Sequence, residues 1–127
     1  MFQYARQYLI DHSQYAPNVL KDIPPDRKFP LVVIKKEGPY LKDETLKRRE
    51  KKMKLIYDIE IYAINQKTEP RQVIVEELRE LLIDVFFDHY GMDISLSIPE
   101  PNADENVARW SLVFKGLIDE NKRIYRR

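Results

Sequence analysis

The sequence predicts an α+β fold, a mostly antiparallel β-sheet packed against one long amphipathic helix, with a short N-terminal helix in front. Three observations carry this. Residues 52–64 (KMKLIYDIEIYAI) alternate in polarity with the period of a half-buried strand. Residues 70–90 instead keep apolar side chains at helical spacing. Around them the order is helix, strands, helix, strands, which favours segregated layers over repeated β-α-β units.

Taken along the chain, residues 2–12 (FQYARQYLIDH) read as a short helix with Phe2, Ala5, Tyr8 and Leu9 on one side. It is marginal alone and needs to dock. Residues 18–23 (NVLKDI) read as a brief strand stopped by Pro24-Pro25, which cannot continue a ladder. Residues 29–36 (FPLVVIKK) are β-branched and apolar enough for a central strand, with Pro30 at its start and Gly38-Pro39 as its end. In 52–64, Met53, Leu55, Tyr57, Ile59, Ile61 and Ala63 share one face. Lys52, Lys54, Asp58 and Glu60 share the other, where Ile56 and Tyr62 break the polarity and mark a side that does not simply face water. A strand of that length spans roughly 40 Å, so it is expected to bend or to project beyond the globule.

Thr68-Glu69-Pro70 supplies a helix start, with a capping-type residue, an acid and a proline. Ile74, Leu78, Leu81 and Val85 make the apolar stripe, Val75, Leu82 and Phe86 widen it, and Ile83 and Phe87 extend it further. An arc so wide is expected to cover the sheet with one part and a second surface with the rest. Gly91 is the natural stop. Residues 92–98 alternate again, with Met92, Ile94, Leu96 and Ile98 expected inward, and residues 99–106 read as a polar loop. Residues 107–118 are the last strand, with Ala108, Trp110, Leu112 and Phe114 on the core face.

At 127 residues the chain is expected to form one domain, with 40–51 as an extended charged loop and 119–127 as a C-terminal extension. Its 22 basic and 21 acidic residues nearly cancel, so net charge selects no partner. Without cysteine, and with His12 and His89 alone as histidines, neither a disulfide framework nor a thiolate or histidine metal centre is expected. The 3 glycines leave no phosphate-cradling loop. No apolar run reaches membrane-spanning length and no basic-then-apolar leader opens the chain, so a soluble product made in the cytosol, without membrane contact, is expected.

No catalytic motif is present. Ser95, Ser97 and Ser111 have no histidine at a recognisable spacing. Asp58 and Glu60 on one strand face suggest a metal-dependent nuclease only superficially, because such sites draw acids from separate elements. Cross-strand ion pairs are the simpler expectation. His12 and His89 read as helix-end residues and Trp110 as core. The concentrated cations are Lys47, Arg48, Arg49, Lys51, Lys52 and Lys54. They offer phosphate contact in principle, yet no aromatic residue is interleaved to stack bases, and a solvated loop or a protein contact fits them better. The ending 124–127 (IYRR), with Tyr125 and Arg126, suits either a segment lying on a neighbouring subunit or a frayed terminus.

The succession FPLVVI, YDIEIYAI, a long amphipathic helix and RWSLVFKGLIDENKRIYRR resembles the tail terminator (tail-to-head joining) proteins of long-tailed bacteriophages, whose fold is like that of the lambda U protein. The resemblance spans about residues 29–127. It implies a non-enzymatic virion protein at the tail–neck junction, made in the bacterial cytoplasm and needing no cofactor. Such a protein forms a homo-hexameric ring on the tail tube protein, ends tube polymerisation and presents the surface that meets the head-neck connector or stopper protein. DNA would pass through the lumen in transient contact. The over-wide helix stripe, with Ile83 and Phe87 at its margin, would give the ring subunit its second apolar surface, and 40–54 and 122–127 would reach past its own core. The charge of 40–51 departs from the family pattern. The alternatives are another neck component, a head-completion or stopper protein, and a small nucleic-acid-binding module using 47–54.

Overall fold

The computed structural model of the chain describes residues 1–41, 53–102 and 104–118. Its elements are α1 (Phe2–His12), β1 (Asn18–Leu20), β2 (Leu31–Leu41), β3 (Met53–Ala63), α2 (Arg71–Ile83), β4 (Asp93–Glu100) and β5 (Ala108–Ile118). The strands form one sheet in the order β1-β2-β3-β5-β4. Only the β1–β2 pair is parallel among them; β2–β3, β3–β5 and β5–β4 are antiparallel. The fold class is the α+β arrangement expected from the sequence.

β3 sits at the centre because its alternation lets one face be fully apolar. Leu55, Tyr57, Ile59, Ile61 and Ala63 point to the helix layer and are buried there with Val32, Ile34, Leu112 and Phe114. The strand neither projects nor stands alone, since both neighbours pair along its length. α2 lays Ile74, Val75, Leu78 and Leu82 on this surface. It then continues as a π-helical turn, Asp84–His89, which buries Val85 and Phe86. Phe86 is the anchor, with ring centroids 4.9 Å from Tyr57 and 5.1 Å from Phe114. A buried ring of this size contributes about 1.5–3 kcal/mol through its removal from water. α1 docks beside α2 through Ala5 and Leu9, and Glu77 Oε1 accepts from the Gln14 backbone N–H at 3.2 Å just past its end.

Several boundaries differ from expectation. The cap of α2 is not Thr68. Pro70 takes the N-cap position without a side-chain bond, and Asn65 Oδ1 accepts from the Arg71 N–H at 2.8 Å, reaching in from the preceding loop. β1 is shorter than predicted and ends at Leu20. β2 begins after the cis Phe29–Pro30 peptide and does not end at Gly38-Pro39. Gly38 takes φ 91° at a register shift between Glu37 and Tyr40, so the strand bulges and resumes opposite Met53 and Lys54.

β4 carries the main correction. It includes Pro99 and Glu100, which the sequence placed in a loop, and it bulges between Ile94 and Leu96. Beyond that bulge Leu96 stands opposite Val113 and Ile98 opposite Ser111, on the sheet face turned away from the helices. The helix-side positions go to Ser97 and Pro99 instead, opposite Leu112 and Trp110. One inserted residue reverses every later side chain, so strict alternation over 92–98 cannot hold.

Candidate interaction surface

The helices cover one face of the sheet and leave the other without a second layer among the described residues. Its composition follows from the outward residues of each strand. At one end Leu31, Val33, Tyr62 and Val107 bury one another, with Phe29 against them. Beside this small cluster lies a charged network. Arg109 on β5 pairs with Glu60 on β3, and the Tyr62 hydroxyl donates to the same carboxylate. This is a cross-strand ion pair of the kind the sequence suggested, with Arg109 as the cation.

The network separates two carboxyls that lie two residues apart. Burial works against the Glu60 charge, but the Tyr62 hydroxyl and the Arg109 guanidinium hold its carboxyl below the usual range. Among the described residues Asp58 has no comparable donor. Burial, then the neighbouring Glu60 and Glu37 charges, push its carboxyl up, with Lys35 and Arg109 offsetting only part. Burial and the adjacent Glu60 carry the Tyr62 hydroxyl to about 12. Asp58 stands opposite Lys35 on β2 and Val113 on β5. Among the described residues no group of three or more His, Asp or Glu side chains is placed to hold a metal ion.

Farther across this face the sheet ends at β4, and its apolar side chains are exposed. Leu96 and Ile98 keep 38% and 40% of their surface in contact with solvent, and Ile94 on the same strand keeps 40%. At the opposite edge, Leu20 of β1 is 36% exposed and Ile23 just beyond it 37%. Uncovered edge strands with apolar side chains are templates for another strand. β4 is held in place from the helix side, where Trp110 Nε1–H donates to Ser97 Oγ at 3.1 Å and the Arg79 guanidinium lies 5.0 Å from the Trp110 ring centre. Trp110 is therefore half-buried and structural, close to the core role expected of it.

The helix layer presents a different surface. Tyr4 and His89 stack at 4.3 Å, Tyr8 and His12 at 4.0 Å, and Tyr90 meets Tyr4 edge-on at 5.6 Å. The histidines close α1 and the π-helical turn as helix-end residues, each against a tyrosine face. Phe87 lies outward on that turn, 46% exposed. Ile83 is half-buried against the protein's own core. The second surface expected of the wide helix stripe is thus reduced to Phe87, because the π-helical turn rotates Val85 and Phe86 inward and Ile83 is used within the domain.

Of the sequence-predicted interface residues, Lys54 is half-buried near the start of β3, opposite Tyr40 and Leu117. It lies on the opposite sheet face from the helix layer that carries Ile83 and Phe87. Lys47, Arg48, Arg49, Lys51, Lys52, Tyr125 and Arg126 lie outside the described residues. Leu20, Leu96, Ile98 and Arg109 were missed. Arg109 was legible only as an outward residue of its strand, and the β4 residues were assigned to the wrong face by the hidden bulge.

No protein-family model matches the sequence, and no curated protein matches it. No helix among the described residues is long and apolar enough to cross a membrane.

Proposed function

We propose that the chain is a structural subunit of a long-tailed bacteriophage virion, a tail terminator. Six copies would form a ring at the tail–neck junction, cap the tail tube and end its polymerisation, and offer the outer side to the head-neck connector or stopper protein. The observation that carries this is the exposure of apolar side chains along both edges of the sheet, at Leu20 and Ile23 on one side and Leu96 and Ile98 on the other. A ring subunit needs two different unsatisfied surfaces, one for each neighbour. Supporting it are the strings that carry the resemblance. FPLVVI leads into β2, YDIEIYAI covers the second half of β3 and one residue beyond it, and RWSLVFKGLI lies in β5, three adjacent strands of the sheet.

The test is electron microscopy of particles assembled without this chain. Overlong, headless tails beside filled heads are expected, since only tube-length control would be lost. Tails of normal length that fail to join would move the protein to the head side of the neck, as a completion or stopper component. Normal joined particles would overturn the proposal.

A further inference from the structure

The two exposed sheet edges match each other in level, face and direction. Following the ladder from β1, Leu20 stands opposite Val33, Val33 opposite Glu60, Glu60 opposite Ser111, and Ser111 opposite Ile98. Leu20 and Ile98 therefore end the same rung on the same face. Two residues along, the next rung on this face runs Asn18, Leu31, Tyr62, Arg109, Glu100.

Direction follows from the strand order. β1 is parallel to β2, and three successive reversals through β3 and β5 leave β4 antiparallel to both. A second copy set beside the first in the same orientation therefore brings its β1 antiparallel to β4, like the other joints of β2, β3, β5 and β4. With no stagger, Leu20 of the added copy meets Ile98, and Asn18 meets Glu100.

β4 begins at Asp93, opposite Lys115, and ends at Glu100, opposite Arg109. β1 is bracketed by lysines. Lys21 follows its last residue, and Lys28 lies beside its first, because Asn18 Nδ2–H donates to the Lys28 carbonyl at 3.1 Å. The same loop also carries Asp22, Asp26 and Arg27. In the head-to-tail joint Glu100 comes to the end of β1 that Lys28 adjoins, while the Lys21 ammonium at the other end lies 5.0 Å from the Phe2 ring centre.

We propose that copies of this chain associate head-to-tail, β4 of one pairing antiparallel with β1 of the next, with Ile98 packed on Leu20 and Glu100 facing Lys28. This deepens the ring proposal above by naming its joint, and it rests on that proposal only for the number of copies. Pro99 brings no N–H, and β1 is three residues long, so the ladder is short. Association is expected to be concentration-dependent, with side chains carrying much of it.

The experiment is light scattering or sedimentation on the purified full chain, comparing wild type, Leu20→Lys, Ile98→Lys and an equimolar mixture of the two variants. Wild type is expected to grow beyond the 15.3 kDa monomer with concentration, and each variant alone to stay monomeric. The mixture is expected to form a dimer and stop, because one intact β4 edge then meets one intact β1 edge. Both side chains are exposed, and thermal melts check that the variants fold. Should either fail to fold, Lys28→Glu and Glu100→Lys are expected to weaken association singly and restore it when combined in one chain. A wild type that is monomeric at every concentration, variants that assemble like wild type, or a mixture that stays monomeric would overturn the joint. If the mixture dimerises but particles lacking the chain are normal, the terminator proposal falls and the joint stands. Overlong tails together with edge variants that assemble normally would give the reverse.

Discussion

One sheet carries two faces built by opposite means. The helix side is closed by shape, with Phe86 wedged between Tyr57 and Phe114 and the residues around them almost without solvent contact. The open side is held by a half-buried charge network and a four-residue apolar cluster, and it leaves β1 and β4 with apolar side chains in water. The first face accounts for the stability of the domain. The second leaves apolar side chains of two edge strands in water. On the proposed reading the apolar residues that bear on partnership lie at the ends of the sheet, since α2 and the turn after it leave only Val73 and Phe87 well exposed among their large apolar side chains.

The comparison breaks most readily in the helix layer. Phe86→Ala should cost about 3–5 kcal/mol, because it empties the contact of α2 with both central strands. Urea unfolding measures it, and a loss below 1 kcal/mol would mean that the two faces are equally forgiving. Next comes the open face, where Arg109→Ala removes the cation from Glu60. Both side chains are about a quarter exposed (30% and 23%), so about 1–2 kcal/mol is expected, less than for a fully buried pair. The effect should also depend on pH. Glu60 has a lowered folded pKa, so its contribution is present above the unfolded carboxylate value and is lost as pH falls through the folded one. In Arg109→Ala that acid sensitivity should shrink.

Asp58 runs the other way. Its raised folded pKa means that the ionised form weighs against the fold at neutral pH, and that stability is regained as pH falls through the raised value. Asp58→Asn should therefore be more stable than wild type at pH 7, with the gap closing as the solution is acidified. Thermal melts across pH would show it, and a loss of stability at pH 7 would point to a Lys35 pairing stronger than the burial penalty. A smaller change is expected at the exposed aromatic stack, where Tyr4→Ala removes the ring facing His89 and Tyr90 and should cost about 0.5–1.5 kcal/mol. Smallest of all is Phe87→Ser, which should leave stability within about 0.5 kcal/mol and association unchanged. If it abolished association, the interface would belong to the helix layer after all.

Much of the fold was legible because local pattern and tertiary demand agree. The alternation of β3 survives intact, since a central strand paired on both sides has its register fixed by the apolar face it must bury. The helix stripe and its Gly91 stop, with φ 74°, were likewise dictated by spacing and by the one residue that takes that conformation without strain. Asn65 as the donor-satisfying cap was out of reach, because it acts from six positions before Arg71 through a loop whose path the sequence does not state.

By itself the sequence determined which segments are strands or helices and which face of the central strand and of α2 is apolar, since these depend on residues two or four positions apart. Tertiary structure decided what depends on position within the sheet. It fixed which strands became edges, it placed the bulge that turns Leu96 and Ile98 to the open side, and it brought Arg109 to Glu60 across 49 residues. It also set Leu20 and Ile98 on one rung. Such juxtapositions arise from long-range pairing, and no local period encodes them.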